Sequence, residues 1–316
     1  MQKLLLLVLT VLSIGVSAQK IDNNASYRNH GEKYFRFNYD NDFFAATDFN
    51  YTQGYMFEFA HPFFAKNPVN HLFLKVPSSN QKFGFALEHI GFTPEKIVPE
   101  VIQVGDRPFA STIMLRSFYA ATDTASKYRI TSALNVGVIG PIAFGEAMQV
   151  GIHKAIGDRI PKGWPNQISN DLVVNYELGY ERNILSINRN LYVGANGNLK
   201  AGSLFTNASI SMVSMFGLLN NPLGNAAKHR NFQLYGYAQP QFTVVGYDAT
   251  LQGGLLNDSP YTINAADIER FTAQVNFGAV LTYKRLYLEY SQARIGKEFR
   301  TGEAAGWGGV KFGWNW

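Results

Sequence analysis

An alternation of apolar and polar residues, repeated along most of this chain, restricts it to a β-sheet fold. The alternation is clearest at the carboxyl end, in Val310, Phe312, Trp314 and Trp316, separated by Lys311, Gly313 and Asn315. Successive side chains of a strand point to opposite faces, so one face of this strand is aromatic and the other is small or polar. Glycine and asparagine opposite a row of aromatic residues indicate lipid on one side, as in an outer-membrane barrel.

The same pattern recurs along the chain and gives the number of strands. Alternating segments begin at Phe35, Tyr55, Val174 and Ala273. Further strand candidates lie near residues 83–91, 111–121, 128–139, 191–201, 208–217, 231–239, 241–250 and 285–293. An even number is expected for a bacterial barrel, so we predict roughly 12 strands, with 231–250 the least regular stretch. The predicted fold is an all-β, transmembrane, antiparallel up-and-down β-barrel forming a single domain over residues 19–316.

The amino terminus predicts export. Lys3 is followed by an apolar run over residues 4–14 and by the small residues Val16, Ser17 and Ala18. This arrangement predicts a signal peptide over residues 1–18, with cleavage before Gln19. The run is shorter than the about 20 residues that a membrane-spanning helix needs. The chain has no Cys, which excludes a lipoprotein and a disulfide-stabilised domain.

Composition excludes some partners. Aromatic residues make up 14% of the chain and charged residues only 16%, which is typical of a barrel rather than of a soluble globule. The formal net charge is +5. We interpret this excess as ordinary solvated surface, and the functional alternative is attraction to an anionic lipid. An exported chain without a basic cluster is not expected to bind nucleic acid.

Strand order brings distant polar residues to one rim. If the amino terminus starts in the periplasm, odd-numbered strands run outward. The outward end of the first strand then carries Asn41 and Asp42, and the loop after the third carries Lys96 and Arg107. The long connection after the fifth strand, residues 140–170, carries His153. We therefore predict a functional site at the extracellular rim.

Several of these residues are candidates for chemistry. A histidine in a rim loop is suited to general-base catalysis near neutral pH, although a lone histidine such as His153 is more often structural. Asn41 and Asp42 have the oxygen donors that Ca²⁺ prefers, and the alternative is a solvated turn. Strand parity places Asp42 and Thr52 on the lumen side, and Asn41 outward unless the strand ends there. Lys96 can pair with a phosphate or be an ordinary loop lysine.

Common catalytic motifs are absent from the sequence. There is no G-x-S-x-G elbow, no H-E-x-x-H and no Walker-type glycine loop. Ser111 and Ser169 are available for a Ser–His arrangement, but nothing in their spacing favours one.

An ordered set of short stretches resembles the lipid A 3′-O-deacylase family of outer-membrane barrels. They are Asn41-Asp42 with residues 51–54, residues 105–111, residues 136–141, residues 149–153 with Gly157, then Trp164, Gln167 and Asn170, and finally residues 298–302. Each stretch alone is a weak signal. They occur in the family's order and span essentially the whole mature chain, which makes the set fairly specific.

The resemblance implies a Ca²⁺-dependent esterase that removes an acyloxyacyl chain from lipid A. His153 would be the general base that activates water, and Asp42 would help to hold the Ca²⁺. Asn41 and Thr52 match polar residues of the family's active site, and Gln149 matches a nearby positioning group.

The resemblance also implies the partners. Lys96 corresponds to a functional lysine of the family after a shift in the loop, and together with Arg107 it is predicted to bind substrate. The expected partners are lipid A or lipopolysaccharide and other outer-membrane lipids. We expect a monomer, the default for a barrel of this size.

Two other functions remain open at this point. The chain could be a channel or structural barrel, although about 12 strands enclose only a narrow lumen. It could also be a Ser–His phospholipase or acyltransferase on the same architecture.

Overall fold

A computed structural model describes residues 31–45, 50–78, 80–224 and 230–316 of the chain. Within them, neighbouring strands pair antiparallel in chain order and the last strand pairs with the first, which closes a barrel of 12 strands. The strands are β1 (Tyr34–Asn41), β2 (Asn50–Ala60), β3 (Asn80–Thr93), β4 (Ala110–Asp123), β5 (Tyr128–Ile139), β6 (Asp171–Ile187), β7 (Leu191–Gly202), β8 (Phe205–Leu218), β9 (Phe232–Asp248), β10 (Phe271–Tyr283), β11 (Leu286–Ile295) and β12 (Ala305–Asn315). The predicted signal peptide, residues 1–18, lies outside the described residues.

The predicted antiparallel barrel of about 12 strands is confirmed, with one correction to the strand boundaries. The two candidates at 231–239 and 241–250 form one strand, β9. Pro240 in its middle pairs with Val275 of β10, whereas the pairing with β8 is interrupted between Gln241 and Ala238. Proline has no N–H to donate, so the chain tolerates it where one of the two ladders is broken. That local break makes the stretch resemble two strands in the sequence.

The two ends of the barrel differ in their connections. At the end where β1 begins and β12 ends, β4 and β5, β6 and β7, and β10 and β11 are joined by tight turns. At the opposite end the connections after β3, β5, β9 and β11 are long. Short turns face the periplasm and long loops face outward in bacterial barrels, so the loop-rich end is extracellular.

Helices occur in the connections. The extracellular ones hold α1 (Gly145–Ile156), α2 (Ala249–Gln252) and 3₁₀ turns at Asp42–Ala45, Pro141–Ala143, Trp164–Asn166 and Ala265–Asp267; the periplasmic connection after β2 holds 3₁₀ turns at Pro62–Lys66 and Pro68–Leu72. No helix in the described ranges is long and apolar enough to cross a bilayer.

Ion pairs fill the lumen. Arg36 and Glu58 approach to 2.6 Å with side chains 0% and 3% exposed. Two further buried pairs are Arg129 with Glu181 at 2.9 Å and Lys311 with Glu289 at 2.8 Å. A buried charge is tolerated only when it is paired and hydrogen-bonded. These pairs occupy the interior, which argues against an open channel.

We predict that Glu58→Ala destabilises the barrel by about 3 kcal/mol, because Arg36 would remain buried and charged without its carboxylate. Urea unfolding of the refolded protein in bilayers measures this change. The double variant Arg36→Met with Glu58→Ala should recover most of the loss, and Glu303→Ala in an exposed loop is the control. Equal stability of Glu58→Ala and wild type would contradict this account of the lumen.

Candidate active site

A β-bulge at the outer end of β2 reorients Thr52. Tyr51 pairs with Phe92 of β3 and Gln53 pairs with Gly91, so Thr52 is the extra residue between them. A Cβ placed on Gly91 would lie 3.2 Å from Cγ2 of Thr52 and 3.5 Å from Cγ of Gln53. The Thr52 side chain therefore shares the lipid-facing side of the wall with Gln53. Bulges commonly redirect a side chain in this way.

The prediction that Thr52 faces the lumen is therefore wrong. That prediction assumed that side chains alternate between lumen and lipid without a break along β2, and the bulge shifts the alternation by one residue. Tyr51 takes the lumen position instead, with its ring centroid 5.2 Å from that of Trp307. A side chain on Gly54 would overlap the Tyr51 hydroxyl, so glycine at that position makes room for the inward ring.

Two further polar residues, His89 and Ser111, lie on the outer face of the wall. His89 lies two residues after Leu87 along β3 and therefore points to the same face, and Leu87 is 45% exposed on the lipid-facing side. Ser111 shares its parity along β4 with Leu115, which is 52% exposed. Both are nevertheless buried, so another part of the chain covers this patch of the wall.

The cover is the connection between β5 and β6. His89 Nε2 lies 2.9 Å from the carbonyl oxygen of Ala143 and therefore donates to it. A Cβ on Gly145 would meet the side chains of Ser111 and Trp164, at 2.7 Å from the Ser111 Oγ. The first turn of α1 therefore packs against the outside of β4, and the glycine permits the close approach.

Gln149 fixes α1 to the bulge. Its Nε2 donates to Thr52 Oγ1 at 3.0 Å, and its Oε1 accepts from Trp164 Nε1 at 2.7 Å. Trp164 is fully buried and packs against Phe109, with ring centroids 5.0 Å apart. Both ends of the Gln149 amide are thus engaged, which supports the positioning role expected for it.

Asn41 and Asp42 lie at the end of β1. The strand ends at Asn41, whose Nδ2 donates to the backbone carbonyl of Thr52 at 2.6 Å and whose Oδ1 accepts from Phe43 N at 2.8 Å. Because the strand ends at Asn41, its side chain does not have to follow the in–out alternation of β1. Asp42 begins the 3₁₀ turn and is 4% exposed. The structure therefore connects Asn41, Thr52 and Gln149 by hydrogen bonds and puts Asp42 next to Asn41 in the chain.

His153 lies one turn after Gln149, on the same buried face of α1. The helix ends at Gly157, whose φ of 73° is left-handed, and Asp158 N donates back to His153 O at 2.9 Å. This turn brings the Arg159 carbonyl to 2.6 Å from His153 Nδ1. A carbonyl can only accept, so Nδ1 carries a proton, and in the neutral imidazole the lone pair is then on Nε2. Within the described ranges, Nε2 has no hydrogen-bond partner.

Asp158 is a residue that the sequence reading missed. Its Oδ2 lies 3.7 Å from His153 Nδ1. An acidic residue immediately after a helix-ending glycine, one turn beyond a histidine, is the signal that could have identified it. The carboxylate is positioned to stabilise a positive charge on the imidazole.

The donor set suits a hard cation rather than zinc. In the described part of the chain, no three His, Cys, Asp or Glu side chains cluster as a metal site. The oxygen donors at the ends of β1 and β2 are the Asp42 carboxylate and the neutral oxygens of Thr52, and Ca²⁺ accepts such mixtures together with water. These oxygens are of the kind that Ca²⁺ binds, and both Thr52 oxygens also accept hydrogen bonds, from Gln149 and from Asn41.

Arg107 occupies a structural position instead of an exposed substrate-binding one. It is 1% exposed; its Nη1 lies 2.7 Å from Glu298 Oε2, and its Nη2 lies 3.2 Å from Thr250 Oγ1. Burial raises the pKa of Glu298 to about 7, although the Arg107 charge opposes the shift. Arg107 thus ties three extracellular connections together, and this geometry favours a structural role over the predicted contact with substrate.

Lys96 is exposed, as a substrate-binding residue requires. It lines a polar cavity of about 240 Å³ between the connection after β3 and the one after β11, together with Glu95, Asp106 and Thr301. The structure does not link this cavity to His153 by any hydrogen bond among the described residues. Lys96 therefore stays a predicted phosphate contact.

A closed barrel with polar residues gathered between its lipid-facing wall and an extracellular helix defines an outer-membrane protein with a candidate site on the outside of the wall. The model of the family described as outer membrane protein LpxR matches residues 4–316. The chain therefore belongs to this family of lipid A deacylase barrels, as the ordered motifs indicated, and is located in the outer membrane.

The fold is that of a solved LpxR structure. LpxR from Salmonella typhimurium shares 18% identity with this chain and superposes with a TM-score of 0.72, covering 90% of this chain and 100% of its own. The β domain of the Bordetella autotransporter BrkA shares 9% identity over 91% of this chain and all of its own, with a TM-score of 0.43. The Pseudomonas putida toluene transporter TodX shares 9% identity over 96% of each chain, with a TM-score of 0.38. No curated protein matches the chain.

We predict that Thr52→Val loosens α1 without unfolding the barrel. Valine is nearly isosteric but cannot accept the Gln149 hydrogen bond, so amide exchange over α1 should become about tenfold faster. Hydrogen–deuterium exchange with mass spectrometry measures this rate. Thr206→Val, on a distant part of the wall, should leave α1 unchanged. Unaltered exchange in Thr52→Val would contradict the anchoring of α1 by Gln149.

Proposed function

We propose that the protein hydrolyses an ester-linked acyloxyacyl chain of lipid A in the outer leaflet, with water activated by His153 and with Ca²⁺ bound at Asp42. The observation that carries the proposal is the imidazole of His153, held in one tautomer by the Arg159 carbonyl, on a helix face that packs against the lipid-facing wall. A base in this position can act on a lipid whose chains lie in the bilayer beside the wall.

The protein groups account for the proton transfers. His153 Nε2 takes a proton from water as the water oxygen forms a bond to the ester carbonyl carbon. When the tetrahedral intermediate collapses, the carbon–oxygen bond to the alcohol breaks and the imidazolium returns its proton to that oxygen. Asp158, 3.7 Å from Nδ1, stabilises the imidazolium between the two transfers.

The neutral side chains hold this arrangement in place. Gln149 connects α1 to Thr52, and Asn41 connects the end of β1 to the same residue through its backbone. These bonds keep His153 and Asp42 on two elements of fixed separation, and such rigidity is worth several kcal/mol to a reaction between positioned groups. In this proposal Asn41, Thr52 and Gln149 are positioning residues.

A Ca²⁺ ion held here would supply positive charge to polarise the ester carbonyl and to stabilise the developing oxyanion. Asp42 is the carboxylate that would hold it. Lys96 would contact a phosphate of the lipid headgroup from the neighbouring loop, because an exposed lysine is suited to that role as a point charge. The polar cavity beside Lys96 supports this assignment.

Two alternatives are less well supported. The filled lumen argues against a channel. The Ser111 hydroxyl is fully buried and donates to the Gly140 carbonyl at 3.2 Å, which argues against a Ser111–His153 nucleophile. In the described part of the chain, no serine is hydrogen-bonded to His153.

We predict that His153→Gln lowers deacylation about a thousandfold, since glutamine cannot take up the proton. Mass spectrometry of lipid A from cells that make each variant measures the loss of the acyloxyacyl unit. Chelation of Ca²⁺ in membranes of wild-type cells should abolish the reaction, and added Ca²⁺ should restore it. Unchanged lipid A in every sample that contains folded wild-type barrel would refute the proposed function.

We predict that Asp42→Asn and Ser111→Ala separate the metal-assisted mechanism from a serine mechanism. Asp42→Asn keeps the volume of the side chain but removes its charge, so the Ca²⁺ needed for half-maximal activity should rise at least tenfold. Ser111→Ala should retain activity close to that of wild type. The opposite pattern would favour the serine alternative.

A further inference from the structure

The periplasmic connection between β2 and β3 is longer than the tight turns after β4, β6 and β10. Residues 61–78, here called the basic strap, join β2 to β3 through the 3₁₀ turns Pro62–Lys66 and Pro68–Leu72. The side chains of His61 and Asn67 cap these turns by accepting from Phe63 N and Val69 N. The strap is therefore a built element rather than an open loop.

The strap folds back over the lipid-facing wall. Tyr119 on β4 and Tyr176 on β6 both lie on that face, and their hydroxyls donate to strap carbonyls. Tyr119 donates to Val76 O at 3.3 Å, and Tyr176 donates to Leu72 O at 3.0 Å. The tyrosines thus satisfy strap carbonyls that would otherwise face lipid without a hydrogen-bond donor.

Aromatic packing holds the strap against the wall. Phe73 is 6% exposed and belongs to a cluster with Tyr119 and other outer-wall residues. Phe64 packs edge-on against Phe85 of β3 with ring centroids 5.0 Å apart, and against Phe59 of β2 at 5.8 Å. The strap therefore lies on the outside of the barrel, in the half of the wall nearer the periplasm.

The exposed side of the strap is both apolar and basic. Phe63 is 65% exposed and Leu72 is 61% exposed. Lys66, His71 and Lys75 are also exposed, and residues 61–78 contain no Asp or Glu. Apolar anchors beside lysines are the pattern of segments that lie in a membrane interface and contact anionic headgroups.

We propose that the basic strap binds anionic glycerophospholipid in the periplasmic leaflet of the outer membrane. Phe63 and Leu72 enter the acyl region, and Lys66 and Lys75 extend their charged ends to the phosphates of the headgroups, as lysines near a bilayer surface do. The partner is a phospholipid because the strap lies against a wall that bilayer lipid surrounds and because the charge of the strap is of one sign. The proposal is independent of the deacylase activity.

Quenching of tryptophan fluorescence by brominated lipid tests the proposal. Trp316 reports on the strap, because its ring lies 5.3 Å from Phe59, which in turn contacts Phe64 of the strap. Trp314 is also exposed, so it is replaced by Phe in every protein tested, while Trp164 and Trp307 are buried. The full mature barrel is reconstituted in phosphatidylcholine vesicles with a small fraction of brominated phosphatidylglycerol or, separately, of brominated phosphatidylcholine. For wild type, the anionic lipid should associate about tenfold more strongly, and 0.5 M salt should weaken the preference.

Two double variants test whether the basic strap causes the preference for anionic lipid. Lys66→Gln with Lys75→Gln should remove the preference, while Lys284→Gln with Arg285→Gln, at another periplasmic turn, carries the same change of charge and should retain it. Heat-modifiable migration in gels confirms that each variant is folded, and unchanged deacylation separates this result from any failure at the active site. Absence of a preference in wild type, as expected if the strap instead served a periplasmic protein, would overturn the proposal, as would equal loss in both double variants.

Discussion

The closing of β12 onto β1 is the contact on which the rest of the molecule depends. In a bilayer, an unpaired backbone N–H or C=O costs several kcal/mol, so strands can cross only when every edge is paired. The ladder from Tyr34 with Asn315 to Asn41 with Gly308 removes the last edge. Irregular backbone is then tolerated only at the ends of strands or where another part of the chain covers it.

The bulge at Thr52 follows this rule and shows how a site can form on such a wall. The register shift leaves one residue of β2 outside the regular ladder, and α1 covers it from the lipid side. Gly91 and Gly145 leave the space that this cover needs. Trp164 donates to the other end of the Gln149 amide and so fixes its orientation. The site is thus assembled from one irregularity of the sheet and one helix in a long loop, while the barrel itself remains regular.

Sequence patterns predicted the fold well, because lipid on one side and polar groups on the other force an alternation that persists through nearly every strand. They failed at Pro240, where a strand continues past a residue that breaks only one ladder. They also failed at Thr52, since a bulge leaves no mark in the alternation of so short a segment. His153, Asn41 and Gln149 could be named from ordered motifs, but the tautomer of His153 depends on the Arg159 carbonyl, which Gly157 positions through a left-handed turn. For Arg107 the sequence motif identified the residue but not its environment, because a motif does not reveal that the guanidinium is buried against Glu298.

The position of α1 on the outside of the wall changes how a substrate reaches the site. A lipid arrives by lateral diffusion within its own leaflet, without leaving the membrane and without entering the lumen. The quantity that sets the rate of encounter is then the surface density of the lipid around the barrel, and its concentration in solution is irrelevant. If the site acts on lipid as proposed, its rate would therefore depend on the packing and crowding of the leaflet that surrounds the barrel.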